Sequence, residues 1–127
     1  MVLGGHDLAR ILIIDDDNSV RDVLRQMLER EGYEVDEACN GDDGVRIFNE
    51  HRQDLVITDI LMPGMGGVQT IMELRLLSPD VKIIAISGGD QIAPEYYLKM
   101  IKNFDTLYEM KKPIMREPLL QAVKSIL

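Results

Sequence analysis

The sequence has little cysteine and no tryptophan: Cys39 is the only thiol among 127 residues. A single cysteine excludes an internal disulfide and a cysteine-based zinc site, and it fits a reducing compartment. No apolar run approaches the ~20 residues of a membrane span. Residues 1–10 lack the basic start and the apolar stretch of a signal peptide. We therefore expect a cytoplasmic protein without a membrane segment.

Positive charge is also scarce, with 14 Lys and Arg residues against 22 Asp and Glu and a formal net charge of −8. Nucleic acids and anionic lipids are bound by basic surfaces. This balance therefore argues against direct binding to DNA, RNA or a membrane, and an acidic protein that handles an anion needs a cation beside it. The length and the 46% apolar content are those of one globular domain with its own core.

Short apolar runs alternate with segments of helical spacing along the chain. Three runs, at 10–15, 54–59 and 81–87, are apolar on both faces and predict interior strands of a parallel sheet. The segments 33–38 and 106–111 mix polar and apolar residues, which predicts edge strands. Five helices are predicted between and after the strands: one with Val20, Val23, Leu24, Met27 and Leu28, one over 42–50, one with Val68, Ile71, Met72 and Leu76, one from Pro94 to about Lys102, and one with Pro118 in its first turn.

Five such units predict an α/β fold, the doubly wound (βα)5 flavodoxin-like sandwich, with a parallel five-stranded sheet in the order 2-1-3-4-5. This order places the three apolar strands inside and the two mixed strands at the edges. Ligands of such sheets bind at the carboxyl ends of the strands, here strands 1 and 3. We expect residues 1–9 to form an N-terminal tail and residues 10–127 to form the domain.

Polar residues follow the predicted strands at that edge of the sheet. They are Asp15, Asp16 and Asp17 after the first strand, Asp59 after the third, Ser87 after the fourth and Lys112 after the fifth. Each has an ordinary explanation: one of Asp17, Asn18 or Ser19 as a helix cap, Asp59 as a turn residue, Lys112 as a surface lysine. Because these explanations are independent of one another, the coincidence of all the residues at one edge favours a functional site.

Three of the carboxylates, those of Asp15, Asp16 and Asp59, converge at the ends of strands 1 and 3. Two carboxylates ~4–5 Å apart repel by roughly 3–4 kcal/mol at an effective dielectric of about 20, so a cation must offset them. Oxygen ligands with retained waters suit Mg²⁺, with Mn²⁺ as an alternative ion. Together with the ammonium of Lys112 and the hydroxyl of Ser87, this set describes a phosphoryl-transfer site with Asp59 as nucleophile.

Four segments carry these residues in chain order. They are Ile13-Ile14-Asp15-Asp16-Asp17, the run from Asp54 to Gly67 with Asp59-Ile60-Leu61-Met62-Pro63-Gly64-Met65, Ile86-Ser87-Gly88, and Lys112-Pro113. This ordered set resembles the receiver domain of the bacterial two-component response regulators, over essentially the whole chain from Arg10 to Leu127. Gly66 departs from the family pattern, which commonly has Asp there.

The resemblance implies a phosphorelay, in which a phosphohistidine of a sensor kinase or phosphotransfer protein supplies the phosphoryl group and Asp59 accepts it. Asp16 would bind Mg²⁺ directly, Asp15 through a metal-bound water, and the backbone carbonyl of Leu61 would complete the protein ligands. The remaining two site residues, Lys112 and Ser87, would contact phosphoryl oxygens. The domain is then not a conventional enzyme, yet it would catalyse its own phosphorylation and its dephosphorylation by water.

The resemblance also implies that phosphorylation switches a face made of the fourth helix, the fifth strand and the fifth helix. A downstream protein target or a fused output domain would read that face, and homodimerisation stays open. The clearest departure is Glu109, three residues before Lys112, where the family often has an aromatic residue. Either the register of the fifth strand is shifted at the neighbouring Tyr108, or the usual aromatic switch is absent.

Three other functions compete with this interpretation. A flavin-binding protein of the same fold would need a phosphate loop after strand 1, where the three aspartates would repel the flavin phosphate. A phosphatase with an Asp nucleophile usually has a second Asp two residues later, where this chain has Leu61. A pseudo-receiver that acts only as a phosphorylation-independent scaffold is the remaining alternative, and the complete set of five site residues argues against it.

Overall fold

A computed structural model describes residues 9–62, 66–88, 99 and 103–127. Its elements are β1 (Arg10–Ile14), α1 (Asn18–Glu29), β2 (Glu34–Ala38), α2 (Gly41–His51), β3 (Leu55–Asp59), α3 (Gly67–Leu77), β4 (Ile83–Ser87), β5 (Leu107–Lys111) and a C-terminal helix (Arg116–Ile126). All five predicted strands are present. The predicted helix from Pro94 to about Lys102 lies outside the described residues, apart from Lys99, and so do residues 1–8 of the predicted tail.

The five strands form one parallel sheet in the order β2-β1-β3-β4-β5, which confirms the predicted topology. The register aligns the carboxyl ends of the central strands, since Ile14 pairs with Thr58 and Asp59 pairs with Ile86. The residues that follow β1, β3 and β4 are therefore neighbours along one edge. The backbone register of the sheet alone therefore determines where the candidate site lies.

The sheet is covered on both faces, as its apolar strands predicted. Successive side chains of a strand point to opposite faces, so each interior strand contributes to two cores. One core joins the sheet to α2 and α3 and contains Leu12, Ile14, Phe48, Val56, Ile71, Leu74, Ile83 and Leu107 among others. The other joins it to α1 and the C-terminal helix and contains Ile11, Ile13, Leu24, Leu28, Ile57, Ile84, Leu119 and Val123 among others.

The helical stripes were predicted incorrectly at three positions. Val23 is 50% exposed, Met72 is 54% exposed and Leu76 is 81% exposed. In α3 the buried positions are instead Gly67, Thr70, Ile71 and Leu74, which repeat at intervals of three and four residues. The close contact at Gly67 lies on this buried face, whereas Met72 and Leu76 lie outside it and are exposed.

Gly67 brings the first turn of α3 against the end of β3. A Cβ atom at this position would lie 2.3 Å from Cα of Ile60 and 2.4 Å from the carbonyl oxygen of Asp59. The backbone N–H of Gly67 also donates to the carbonyl of Ile60 over 2.8 Å. Only a residue without a side chain permits this approach, which fixes the backbone immediately after Asp59.

Candidate functional site

The three-aspartate run after β1 divides into two roles. Asp17 is the N-cap of α1, and its carboxylate accepts from the backbone N–H groups of Ser19 (2.8 Å) and Val20 (3.3 Å). The backbone N–H of Asp17 in turn donates to Oδ1 of Asp15 over 2.8 Å. One aspartate therefore satisfies the helix end, and Asp15 and Asp16 are left for the site.

Asp59 ends β3 and is buried, with 5% of its surface exposed. Its Oδ2 accepts from Nζ of Lys112 at 3.2 Å, and its Oδ1 accepts from the backbone N–H of Leu61 at 3.2 Å. Both oxygens thus have a donor, and the carboxylate is held at the edge of the sheet. Lys112 is placed by its own backbone N–H, which donates to the carbonyl of Ser87 over 2.9 Å.

The carboxylates of Asp15, Asp16 and Asp59 gather at one point, with one oxygen of each within 4.8 Å of the others. Asp15 and Asp59 are buried and Asp16 is exposed. Oδ2 of Asp15 is buried and has no hydrogen-bond partner among the described residues. An unpartnered buried oxygen beside two further carboxylates fits a hard divalent cation and is typical of a Mg²⁺ site.

Electrostatics of the site are dominated by these carboxylates. Burial raises the pKa of the Asp15 carboxyl; the N–H of Asp17 opposes this shift and the charge of Asp59 adds to it. Burial lowers the pKa of the Lys112 ammonium, but the hydrogen bond and charge of Asp59 more than offset this, so the pKa is raised. Lys112 therefore stays charged and balances part, but not all, of the negative charge.

Ser87 ends β4 at the same edge, as predicted. Its Oγ does not contact Asp59 in the described hydrogen bonds; it donates to Oε2 of Glu109 on β5, over 3.5 Å. The pairing of β4 with β5 is regular, with Ala85 opposite Glu109 and Ile84 opposite Tyr108. A shifted register is thus wrong, and it is Glu109, not an aromatic residue, that lies beside Ser87.

Arg21 is a site-supporting residue that the sequence did not reveal. From α1 its Nη1 donates to the backbone carbonyl of Asp15 over 2.6 Å, and its Nε lies 3.4 Å from Glu37 on β2. It thereby ties the Asp15 loop to the neighbouring helix and edge strand. No motif marks it, and its place one turn after Asp17 is the only signal in the sequence.

Comparison with known proteins agrees with this geometry. The family model described as response regulator receiver domain matches residues 11–124. Protein PilH of Pseudomonas aeruginosa is 34% identical over 122 residues, covering 94% of this chain and 98% of that protein. Sporulation initiation phosphotransferase F of Bacillus subtilis is 27% identical over 118 residues, covering 93% of each. Other relatives are longer, and the chain spans only 32% to 50% of their length.

A solved structure shows the same fold. Response regulator protein TrrA from Thermotoga maritima, in complex with Mg(2+)-BeF, is 33% identical, has a TM-score of 0.79, and is matched over 94% of this chain and 100% of that one. Within the part of the chain that the structure describes, every helix is too short or too polar to cross a membrane. The sheet order, the acidic pocket and the match over 11–124 lead to one conclusion: the chain belongs to the two-component response regulator receiver domain family.

Proposed function

We propose that Asp59 is the phosphoacceptor of a phosphorelay. A carboxylate oxygen of Asp59 attacks the phosphorus of a phosphohistidine on a sensor kinase or phosphotransfer protein. The new O–P bond replaces the P–N bond, and the histidine leaves as neutral imidazole after taking up a proton. The observation that carries this proposal is the buried Asp59 carboxylate, which pairs with Lys112 and borders Asp15 and Asp16.

The acidic pocket would hold Mg²⁺, or Mn²⁺ in its place, through Asp15, Asp16, Asp59 and the backbone carbonyl of Leu61. A bound divalent ion neutralises the carboxylates and the oxygens of the incoming phosphoryl group. Lys112 lies 3.2 Å from Asp59 and can move its ammonium from the carboxylate to a phosphoryl oxygen. Ser87 supplies a neutral donor at the neighbouring strand end.

The names of two relatives support this assignment. One is named a phosphotransferase, and another was solved with Mg(2+)-BeF. An open groove of about 650 Å³ lies beside Lys112, between α1 and the loop after β5, and Val20, Val23 and Ile114 contribute to its lining. We propose that the phosphohistidine donor docks there, which would cover the exposed side chain of Val23.

Phosphorylation would then alter the face that includes β5, the C-terminal helix and the predicted helix between β4 and β5. A downstream protein target or a fused output domain would read this face, and self-association there would give a homodimer. The added charge of the phosphoryl group would act as a population shift between two arrangements.

The direct test is intact mass after incubation with acetyl phosphate and Mg²⁺. We expect one phosphoryl adduct per chain, with the added mass lost on treatment with hydroxylamine, because an acyl phosphate is cleaved by that nucleophile. A parallel sample with chelator should show little adduct. A folded protein without an adduct in the presence of Mg²⁺ would instead support the pseudo-receiver scaffold.

Leu61 is expected to control the lifetime of the adduct. Its side chain is 48% exposed and stands two residues after Asp59. We propose that it borders the path by which water attacks the phosphoryl group. Replacing it with Asn puts an amide that can hydrogen-bond water in place of an apolar group. We expect Leu61→Asn to hydrolyse its adduct faster by roughly tenfold, about 1.4 kcal/mol in the barrier.

The measurement is decay of the adduct after removal of acetyl phosphate, followed by intact mass. The exposed apolar residue Leu76, on α3 and well removed in sequence from the site, provides a matched control as Leu76→Asn. An adduct lifetime that is the same in wild type and Leu61→Asn would contradict the role assigned to this side chain.

A further inference from the structure

The contact between Ser87 and Glu109 is a feature of the site edge that the proposed mechanism does not use. The two residues lie on adjacent strands and on the same face of the sheet, and Ser87 Oγ is 3.5 Å from Glu109 Oε2. Glu109 is exposed, and its neighbour in the register is Ala85, which is buried.

A serine hydroxyl carries a single proton and therefore donates to one acceptor at a time. Ser87 cannot donate to Glu109 and to a phosphoryl oxygen on Asp59 together. The distance of 3.5 Å exceeds the usual ~2.5–3.0 Å of an O–H···O bond, so the contact is weak enough to be exchanged for a better acceptor. A phosphoryl oxygen is such an acceptor.

We propose that Glu109 is a positioning residue that holds the Ser87 hydroxyl away from Asp59 in the unphosphorylated protein. This inference rests on the proposed function of Asp59. Glu109 competes with the phosphoryl group for the hydrogen bond of the Ser87 hydroxyl, and this competition slows phosphorylation of Asp59. Once the hydroxyl turns to the phosphoryl group, the Glu109 carboxylate separates from it, since both the lost donor and the new negative charge oppose the contact.

The consequence is that phosphorylation of Asp59 changes the position of a carboxylate on β5, that of Glu109. Glu109 is itself exposed, whereas the next residue, Met110, points to the other face and packs partly buried against the core. A move of the Glu109 carboxylate therefore changes the charge presented on its own face of this sheet edge. Chemistry at Asp59 is thereby reported by a charged group, in place of the aromatic ring that the family often has at this position.

The test compares phosphorylation rate constants with acetyl phosphate and Mg²⁺, read by intact mass, for wild type, Glu109→Ala and Glu109→Gln. We expect Glu109→Ala to be faster by threefold or more, and Glu109→Gln to fall between, because its amide oxygen still accepts a hydrogen bond. Glu29→Gln, an exposed residue at the opposite end of α1, is the matched charge control and should react as wild type does.

A second set places the same changes in the Ser87→Ala background. If Glu109 acts through the hydroxyl, most of the gain from Glu109→Ala disappears there. An equal gain in both backgrounds would mean that only its charge matters and would overturn the proposal, as would an unchanged rate in Glu109→Ala. Absence of any adduct in wild type would instead overturn the function of Asp59, and this inference with it.

Discussion

Asp59→Asn is expected to form no phosphoryl adduct under conditions where the wild type is fully modified. The amide has almost the shape of the carboxylate, so the fold should survive, but a neutral amide is a far weaker nucleophile than a carboxylate. The amide also loses the ion pair with Lys112, whose Nζ lies 3.2 Å from Oδ2 of Asp59. Intact mass with acetyl phosphate and Mg²⁺ measures the result.

The matched control is Asp80→Asn, an exposed aspartate in the turn before β4 at the opposite edge of the sheet. It should retain the full adduct. Modification of Asp59→Asn to the wild-type level would place the acceptor elsewhere, with Asp15 and Asp16 as the nearest carboxylates, and peptide mapping would then identify it.

Asp15→Asn is expected to have opposite effects with and without metal. In metal-free protein, the change removes a carboxylate that is buried and is repelled by Asp59 and Asp16, and it should stabilise the fold by about 1–2 kcal/mol. The amide oxygen can still accept from the backbone N–H of Asp17, as Oδ1 does now. With Mg²⁺ present, the wild type should gain stability and Asp15→Asn should gain little.

The pH dependence follows from the raised pKa of the Asp15 carboxyl. A carboxyl whose folded pKa exceeds its unfolded value contributes stability that is complete below the unfolded pKa and is lost as the pH rises through the folded pKa. Between those values, the metal-free wild type should lose stability relative to Asp15→Asn as the pH increases. Mg²⁺ should cancel most of this loss.

Thermal unfolding in chelator and in Mg²⁺, at several pH values, measures these effects. Asp80→Asn again serves as the control for the loss of a carboxylate. A metal-free Asp15→Asn variant that is less stable than wild type would contradict this prediction. It would show that the favourable contacts of the Asp15 carboxylate outweigh its burial and repulsion, so that the acidic cluster does not destabilise the metal-free fold.

The topology and the composition of the site could be predicted from the sequence because both depend on strand ends. Three apolar runs fixed which strands are interior, and parallel pairing then brought Asp15, Asp59 and Ser87 to one edge. The sequence did not predict which of the three successive aspartates caps α1 and which belong to the site, because capping by Asp17 depends on the loop conformation. The apolar pattern also failed in α3, where the small or polar residues Gly67 and Thr70 are buried and the apolar Met72 is exposed.

The contacts that tune the site were the least predictable part. Arg21 reaches the carbonyl of Asp15 through a long side chain, and no spacing rule reports such a path. The sequence left open whether β5 was shifted, because Tyr108 and Glu109 are adjacent and only the pairing with β4 decides between them. Side-chain partners on neighbouring strands can be predicted only when the strand register is known, and the register is known only from the folded structure.

The close fit of Gly67 against the end of β3 also has a diagnostic use. A glycine eight residues after an aspartate that ends a buried strand lets the next helix begin directly against the end of that strand. A related sequence with a larger residue at this place must shift its helix or its loop, even if all five site residues are present. This glycine therefore distinguishes sequences that can form the pocket from sequences that contain the five site residues but cannot bring them into this geometry.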